Sequence, residues 1–209
     1  MDSSPSRTSP APPPTPVYLP ESPHERIKIL VAGPLGIGKT TAISTVSEIP
    51  TLHTDEVMTT AAAGTDELTH HGLQDKKTTT VATDFGRLTL EQAGVILYLF
   101  GTPGQRRFRP LWDDLAEGAL GALVLVDTER LQESFEVMDL IEERGLPYTV
   151  AVNTFPHSRT VEPDTLRDKL DLAEHTPLVV CDARDKNSTL DALIALTAHL
   201  ITLAGDASS

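Results

Sequence analysis

IKILVAGPLGIGKTT, residues Ile27 to Thr41, is the stretch from which the rest of the chain is read. Its apolar run, Ile27, Ile29, Leu30, Val31 and Ala32, has the length and composition of a short buried strand. A glycine-rich turn follows, and Thr40-Thr41-Ala42-Ile43 then opens a helical pattern. Between the two, Gly33-x-x-x-x-Gly38-Lys39-Thr40 matches the phosphate-binding loop pattern. The chemistry needs these residue types. Gly36 and Gly38 let the backbone curl until successive N–H groups point at one phosphate chain. The helix that follows turns its positive end towards the same charge. Lys39 then reaches the β- and γ-phosphates, and the Thr40 hydroxyl completes part of a magnesium shell. The expected nucleotide-contacting run is Gly33, Pro34, Gly36, Ile37, Gly38, Lys39, Thr40 and Thr41.

Working outward, 209 residues with 39% hydrophobic content make one domain with an ample core, plus a tail. Residues 1 to about 24 carry eight prolines among Ser and Thr. Such a segment buries too little apolar surface to order itself and is expected to be a disordered tail. No apolar run approaches the roughly 20 residues of a membrane span, and MDSSPSRTSP lacks the apolar core of a secretory signal. Asp2 after Met1 excludes the myristoylation pattern. The lone cysteine, Cys181, excludes an internal disulfide and fits a reducing cytoplasm. A net charge of −13 argues against nucleic acid and anionic lipid as partners.

A helix from about Thr40 to Ser47 is expected to end before Pro50. Residues 50–79 read as a long polar loop, with a short helix conceivable around Asp66–His71 and with His70-His71 as exposed histidines. Val81, Thr83 and Phe85 alternate as in a strand. Val95–Phe100 is a second strand, paired with the first as a hairpin, and it ends in Gly101-Thr102-Pro103-Gly104-Gln105. Leu111–Gly118 reads as a short helix and Ala122–Val126 as a buried strand. Leu131, Phe135, Met138 and Ile141 mark a core-facing helix over about 130–144. Tyr148–Val152 is a strand ending at Asn153. A helix through Leu166, Leu170 and Ala173 follows, then a strand over Pro177–Cys181 and a closing helix through Leu190, Leu193, Ile194, Leu200 and Ile201. No apolar helix face is left over, so a monomer is expected. The alternation implies an α/β, three-layer P-loop NTPase fold, with a mainly parallel six-stranded sheet and helices on both faces. Gly33, Gly101, Asp127, Asn153 and Cys181 all fall at strand ends, where such sheets hold ligands.

This succession resembles the small Ras-like GTPase superfamily over roughly residues 25–204, leaving 205–209 as a flexible C-terminus. Within that superfamily it is most similar to the bacterial MglA-like branch, and there to the ATP/GTP-binding proteins of actinobacterial conservons. KTTTVATDFGR (Lys77–Arg87), FGTPGQRRF (Phe100–Phe108) and WDDLAEGALGALVLVDTERL (Trp112–Leu131) carry that likeness together. The resemblance implies GTP and GDP as ligands with Mg2+. It implies that the Gly104 N–H meets the γ-phosphate and that Gln105 orients the attacking water. It also implies a switch threonine that binds magnesium: Thr80, directly before the strand, is the first choice and Thr79 the second. Metal ligands are then Thr40 and Thr80. Asn153 aligns with the first position of the base-reading Asn-Lys-x-Asp motif, followed by Thr154 and Phe155, while Pro156 replaces the aspartate that reads guanine. Ala183, within Asp182-Ala183-Arg184, offers its N–H to the guanine O6. Gly101 stands where the magnesium-associated aspartate is expected. Asp84 on the neighbouring strand either takes that role through a water or is a plain strand acid. Arg106, Arg107 and Arg109 follow Gln105. Arg107 is the candidate finger in cis, against ordinary salt bridges to Asp113, Asp114 or Glu117. Catalytic residues are then Gln105, Arg107 and Lys39.

The function implied is a GTP-operated switch with slow hydrolysis. Its partners by resemblance are a Roadblock-type regulator and a histidine kinase-like membrane complex, which would make it cytoplasmic and peripheral to the membrane through those partners. Two other readings stand beside it. A scaffold that binds nucleotide without turnover is suggested by Gly101 and Pro156 and opposed by Gln105. A P-loop kinase would want an Arg-rich lid, and residues 50–79 offer few basic residues for one.

Overall fold

The computed structural model describes residues 24–59, 78–104, 109–156 and 158–206. In chain order the elements are β1 (Glu25–Ala32), α1 (Lys39–Val46), β2 (Leu52–Thr59), β3 (Thr78–Leu90), β4 (Val95–Gly101) and α2 (Arg109–Ala116). They continue with β5 (Ala119–Val126), α3 (Gln132–Glu142), β6 (Tyr148–Asn153), α4 (Pro163–Lys169), β7 (Leu178–Cys181) and α5 (Lys186–Asp206). The strands form one sheet in the order β2-β3-β4-β1-β5-β6-β7. β1 pairs in parallel with β4 on one side and β5 on the other, and β6 and β7 extend the parallel half. β2, β3 and β4 pair antiparallel, so the expected β3–β4 hairpin is present.

Period-two alternation sorts the strand residues between two cores. Ile29, Val31, Leu123 and Leu125 meet Ile43 of α1 and Leu193 and Leu196 of α5. Leu30, Ala32, Val124 and Val126 meet Trp112, Met138, Ile141, Leu166 and Leu170 of α2, α3 and α4 or their ends. Burial on both faces explains why these strands read as continuous apolar runs. Each such Val, Leu, Ile or Met side chain contributes about 1.5–3 kcal/mol by leaving water. The connection after β1 runs to β2 at one edge of the sheet, while the one after its neighbour β4 runs to β5 on the other side. The switch point therefore lies at the carboxyl ends of β1 and β4, where the glycine-rich loop sits.

Five expectations are corrected. Among the described residues the sheet has seven strands, because Leu52–Thr59 is a strand rather than part of a loop. It lies at the outer edge, bonded only to β3, where no apolar alternation is required. That pairing also extends β3 back to Thr78, so Thr80 lies inside the strand, opposite Val57, instead of before it. α5 continues to Asp206, so Gly205 and Asp206 are helical rather than a loose end. α5 is also long and apolar enough to cross a membrane, against the reading that no such run exists. It packs Ala192, Leu193, Leu196 and Thr197 into the domain core, as a core helix does, and leaves Ile194 and Ile201 in solvent. An apolar helix face is thus exposed after all. The short helix at Asp66–His71, the histidine pair and the proline-rich tail lie outside the described residues.

Candidate nucleotide site

The loop after β1 wraps the start of α1 as the motif requires. Gly36 and Gly38 adopt φ of 74° and 103°, the left-handed region that other residues disfavour. Gly38 caps α1 with no side-chain hydrogen bond, so the first-turn N–H groups are left for a ligand. Lys39 Nζ donates to the carbonyls of Gly33 and Pro34, each at 2.8 Å, which curls the ammonium over the loop. Burial pulls the Lys39 pKa down to about 8, with the Asp84 carboxylate opposing. Ile37 sends its side chain into the core beneath. Thr40 and Thr41 begin the exposed surface of α1.

The second loop closes over the first. A Cβ at Gly104 would lie 2.6 Å from Leu35 N and 2.8 Å from the Pro34 carbonyl carbon, so the backbone at 104 rests directly on the phosphate loop. Lys39, Thr40, Asp84, Thr102 and Gly104 line an open cleft of about 350 Å³. Thr102, 2% exposed, continues from β4 by donating its N–H to Val31 O.

Asp84 is the residue whose role the sequence left open. It lies within β3, 8% exposed, and accepts the Thr40 hydroxyl on Oδ2. His53 of β2 reaches its other oxygen, Nδ1 to Oδ1, at 2.6 Å. A Cβ at Gly101 would lie 3.2 Å from Asp84 Cβ and 3.3 Å from Asp84 Oδ2. The carboxylate therefore occupies the space next to the missing side chain of residue 101. Because Thr40 gives its proton to Asp84, its oxygen lone pairs remain available. A hydroxyl oxygen beside a buried carboxylate suits a hard divalent cation, so the residues present fit magnesium.

Behind Gly38, Asn153 is 3% exposed and holds two loops together. Its Nδ2 donates to Ile37 O at 2.8 Å, and its Oδ1 accepts the Ala183 N–H at 2.9 Å. A Cβ at Gly38 would lie 2.9 Å from Asn153 Nδ2, which places this tie against the phosphate loop. Asn153, Ala183 and the loop are thus brought together. The Ala183 N–H is already engaged by Asn153, so it is not standing open for a guanine O6. Phe155 packs at the core margin, and its N–H donates to Ser158 Oγ at 2.8 Å. Arg184 is locked to Asp182 by paired contacts of 2.8 Å, which hold the Asp182 carboxyl at about 2.

Gln105, Arg106 and Arg107 lie outside the described residues, as do the side chains of Thr80 and Arg109. Asp113, one offered partner for the arginines, pairs with Arg144 at 2.5 Å. His53 was missed by sequence reasoning. Nothing local marks it, because its position depends on the long-range pairing of β2 with β3.

The chain is similar to proteins of two kinds. An uncharacterized protein of Methanocaldococcus jannaschii is 28% identical over 131 residues, covering 62% of this chain and 70% of that one. Among solved structures, the FeoB G-domain from Methanococcus jannaschii aligns with a TM-score of 0.56 and 13% identity, over 84% of this chain and 98% of that one. The cytosolic domain of the T. maritima FeoB iron transporter in its apo form gives 0.60 and 14%, over 84% of this chain but 64% of that one. Its GDP form II gives 0.59 and 13%. At such identities the likeness establishes the α/β fold of a P-loop G-domain. Residues 31–203 match the model of a sequence family, and the chain belongs to that family, described as conserved hypothetical ATP-binding proteins.

Proposed function

We propose that the chain is a nucleotide-operated switch that binds GTP with magnesium, hydrolyses it slowly to GDP, and signals the difference through the segments around Thr80 and Gly104. The observation that carries this reading is the Thr40–Asp84 pair beside Gly101. It supplies, from β3, the buried carboxylate that position 101 lacks. Lys39 and the first-turn N–H groups of α1 hold the phosphates, and the Gly104 N–H meets the γ-phosphate. Thr40 and Thr80 offer hydroxyl oxygens to magnesium, which when bound neutralises charge on the β- and γ-phosphate oxygens. Gln105 orients the attacking water. Arg107 stabilises the transferring phosphoryl, a contribution of roughly 10³–10⁵ in rate where such a finger operates. Arg107→Ala is expected to slow single-turnover hydrolysis accordingly, and an unchanged rate would sink the finger.

Guanine is favoured by the resemblance and by the GDP form among the FeoB structures. Against it stand the ATP in the family description, Pro156 in place of a guanine-reading carboxylate, and the engaged Ala183 N–H. A buried acceptor for the guanine edge is the main source of discrimination against adenine. These three observations favour a second reading, a nucleotide binder indifferent to the base. Comparing mantGTP with mantATP, first with magnesium and then with EDTA, through one turnover, separates the two. Guanine-selective, magnesium-dependent binding with slow hydrolysis supports the switch. Equal affinities withdraw the GTPase reading, and tight binding without turnover leaves a scaffold or a switch that needs its partner. A Roadblock-type regulator, added to the same assay, distinguishes those last two. The histidine kinase-like membrane partner, and a peripheral place at the membrane through it, belong to the same proposal.

A further inference from the structure

Asp84 is held by two residues, and only one belongs to the phosphate loop. Thr40 takes Oδ2, while His53 donates from Nδ1 to Oδ1 at 2.6 Å. His53 and Asp84 sit directly opposite each other in the antiparallel β2–β3 ladder, the register at which side chains on one face meet. A carboxylate bonded at one oxygen alone turns freely about its Cβ–Cγ bond. Gly101 contributes no side chain to block that rotation, and what lies beside Asp84 in that space is the apolar Cδ1 of Ile43, which offers the carboxylate no hydrogen bond. The imidazole is therefore the second point that fixes the carboxylate plane.

We infer that His53 is a positioning residue for the magnesium shell, holding Asp84 in the orientation that Thr40 and the bound cation require. This rests on the magnesium reading of the Thr40–Asp84 pair. It assigns a role to a residue of β2 that touches neither nucleotide nor metal. The ordinary alternative is a surface cross-strand ion pair, since 57% of the His53 side chain is exposed and such pairs contribute little. The two differ in what they predict. A surface pair affects folding alone, whereas a partner that orients a metal-associated group affects metal affinity, typically by 10–100-fold.

The test loads the full chain with mantGTP and follows nucleotide dissociation as free Mg2+ is raised from EDTA conditions to about 10 mM. For His53→Ala the half-effective Mg2+ concentration is expected to rise about tenfold, while the dissociation rate in EDTA stays that of the wild type. His53→Asn places an amide N–H where Nδ1 stood and is expected to restore most of the shift. Asp84→Ala is expected to shift the midpoint further, with His53→Ala adding nothing on top of it. A His53→Ala midpoint equal to the wild type, beside a shifted Asp84→Ala, overturns the role of His53 and leaves the magnesium reading standing. An equal acceleration with and without Mg2+ also overturns it, since that marks a merely structural contact. If the wild type itself ignores Mg2+, the magnesium reading fails and His53 loses its role with it. Urea midpoints for each variant identify any that are simply unstable.

Discussion

At the level of single residues, contact between the two loops leaves very little tolerance. Gly104 rests on the backbone of Pro34 and Leu35, and a methyl group there has nowhere to go. Overpacking of this kind costs about 1–3 kcal/mol, so Gly104→Ala is expected to weaken triphosphate binding by about tenfold or more. A mant-nucleotide titration of the variant measures this. Lys39 gives a second prediction. Its folded pKa of about 8 lies below the ordinary lysine value, so near pH 8 roughly half the free protein carries it neutral. A bound polyphosphate favours the ammonium and raises that pKa, so binding between about pH 8 and 9 takes up protons. Calorimetry in two buffers of different ionisation enthalpy reads the uptake directly, and uptake should vanish well below pH 8. The same depression means that the unfolded chain binds more protons between about pH 8 and 10.5, so this residue's contribution to stability rises with pH across that window.

At the level of elements, what the sequence revealed depended on how much of each pattern is local. The glycine loop, the apolar runs of β1, β4, β5 and β6, and the stripe of α3 each state their environment within a dozen residues. β2 does not, since Leu-His-Thr-Asp-Glu-Val-Met-Thr carries no apolar alternation in its sequence and becomes a strand through its ladder to β3. The placement of Asp84 and His53 followed from that same unseen pairing. Gly101 was visible as a departure from pattern, but the carboxylate beside it, Asp84, lies 17 residues away in sequence, on the neighbouring strand. The packing of α1 on β3 offers a test at this scale. A Cβ at Gly86 would lie 2.6 Å from Ile43 Cγ2 and 3.2 Å from Ser47 Cβ, at the point where Ser47 and Glu48 bond the Arg87 backbone. Gly86→Ala is expected to push α1 outward and lower stability by about 1–3 kcal/mol, read as a drop in urea midpoint with little change in slope.

For the whole molecule, charge and chain order matter most. A net charge of −13 on one domain produces self-repulsion in the compact state. Screening it by raising NaCl from about 20 to 300 mM, which shortens the Debye length well below 10 Å, is expected to raise Tm by about 2–4 °C, the shift that about 1 kcal/mol produces at this size. Scanning calorimetry at the two salt concentrations checks it. The order of the strands carries a different consequence, one that belongs to synthesis rather than to the finished protein. β1 gains β4 on one side before β5 exists for the other. From the appearance of Gly101 until Val126 emerges, the edge along Lys28–Ala32 has no partner. At 5–20 residues per second the ribosome leaves that edge open for roughly one to five seconds, and an open apolar edge is a template for strand addition by another chain. The interval in which a nascent copy is most exposed to misassembly is therefore set by the short stretch that carries α2, and a slower passage through those codons lengthens it.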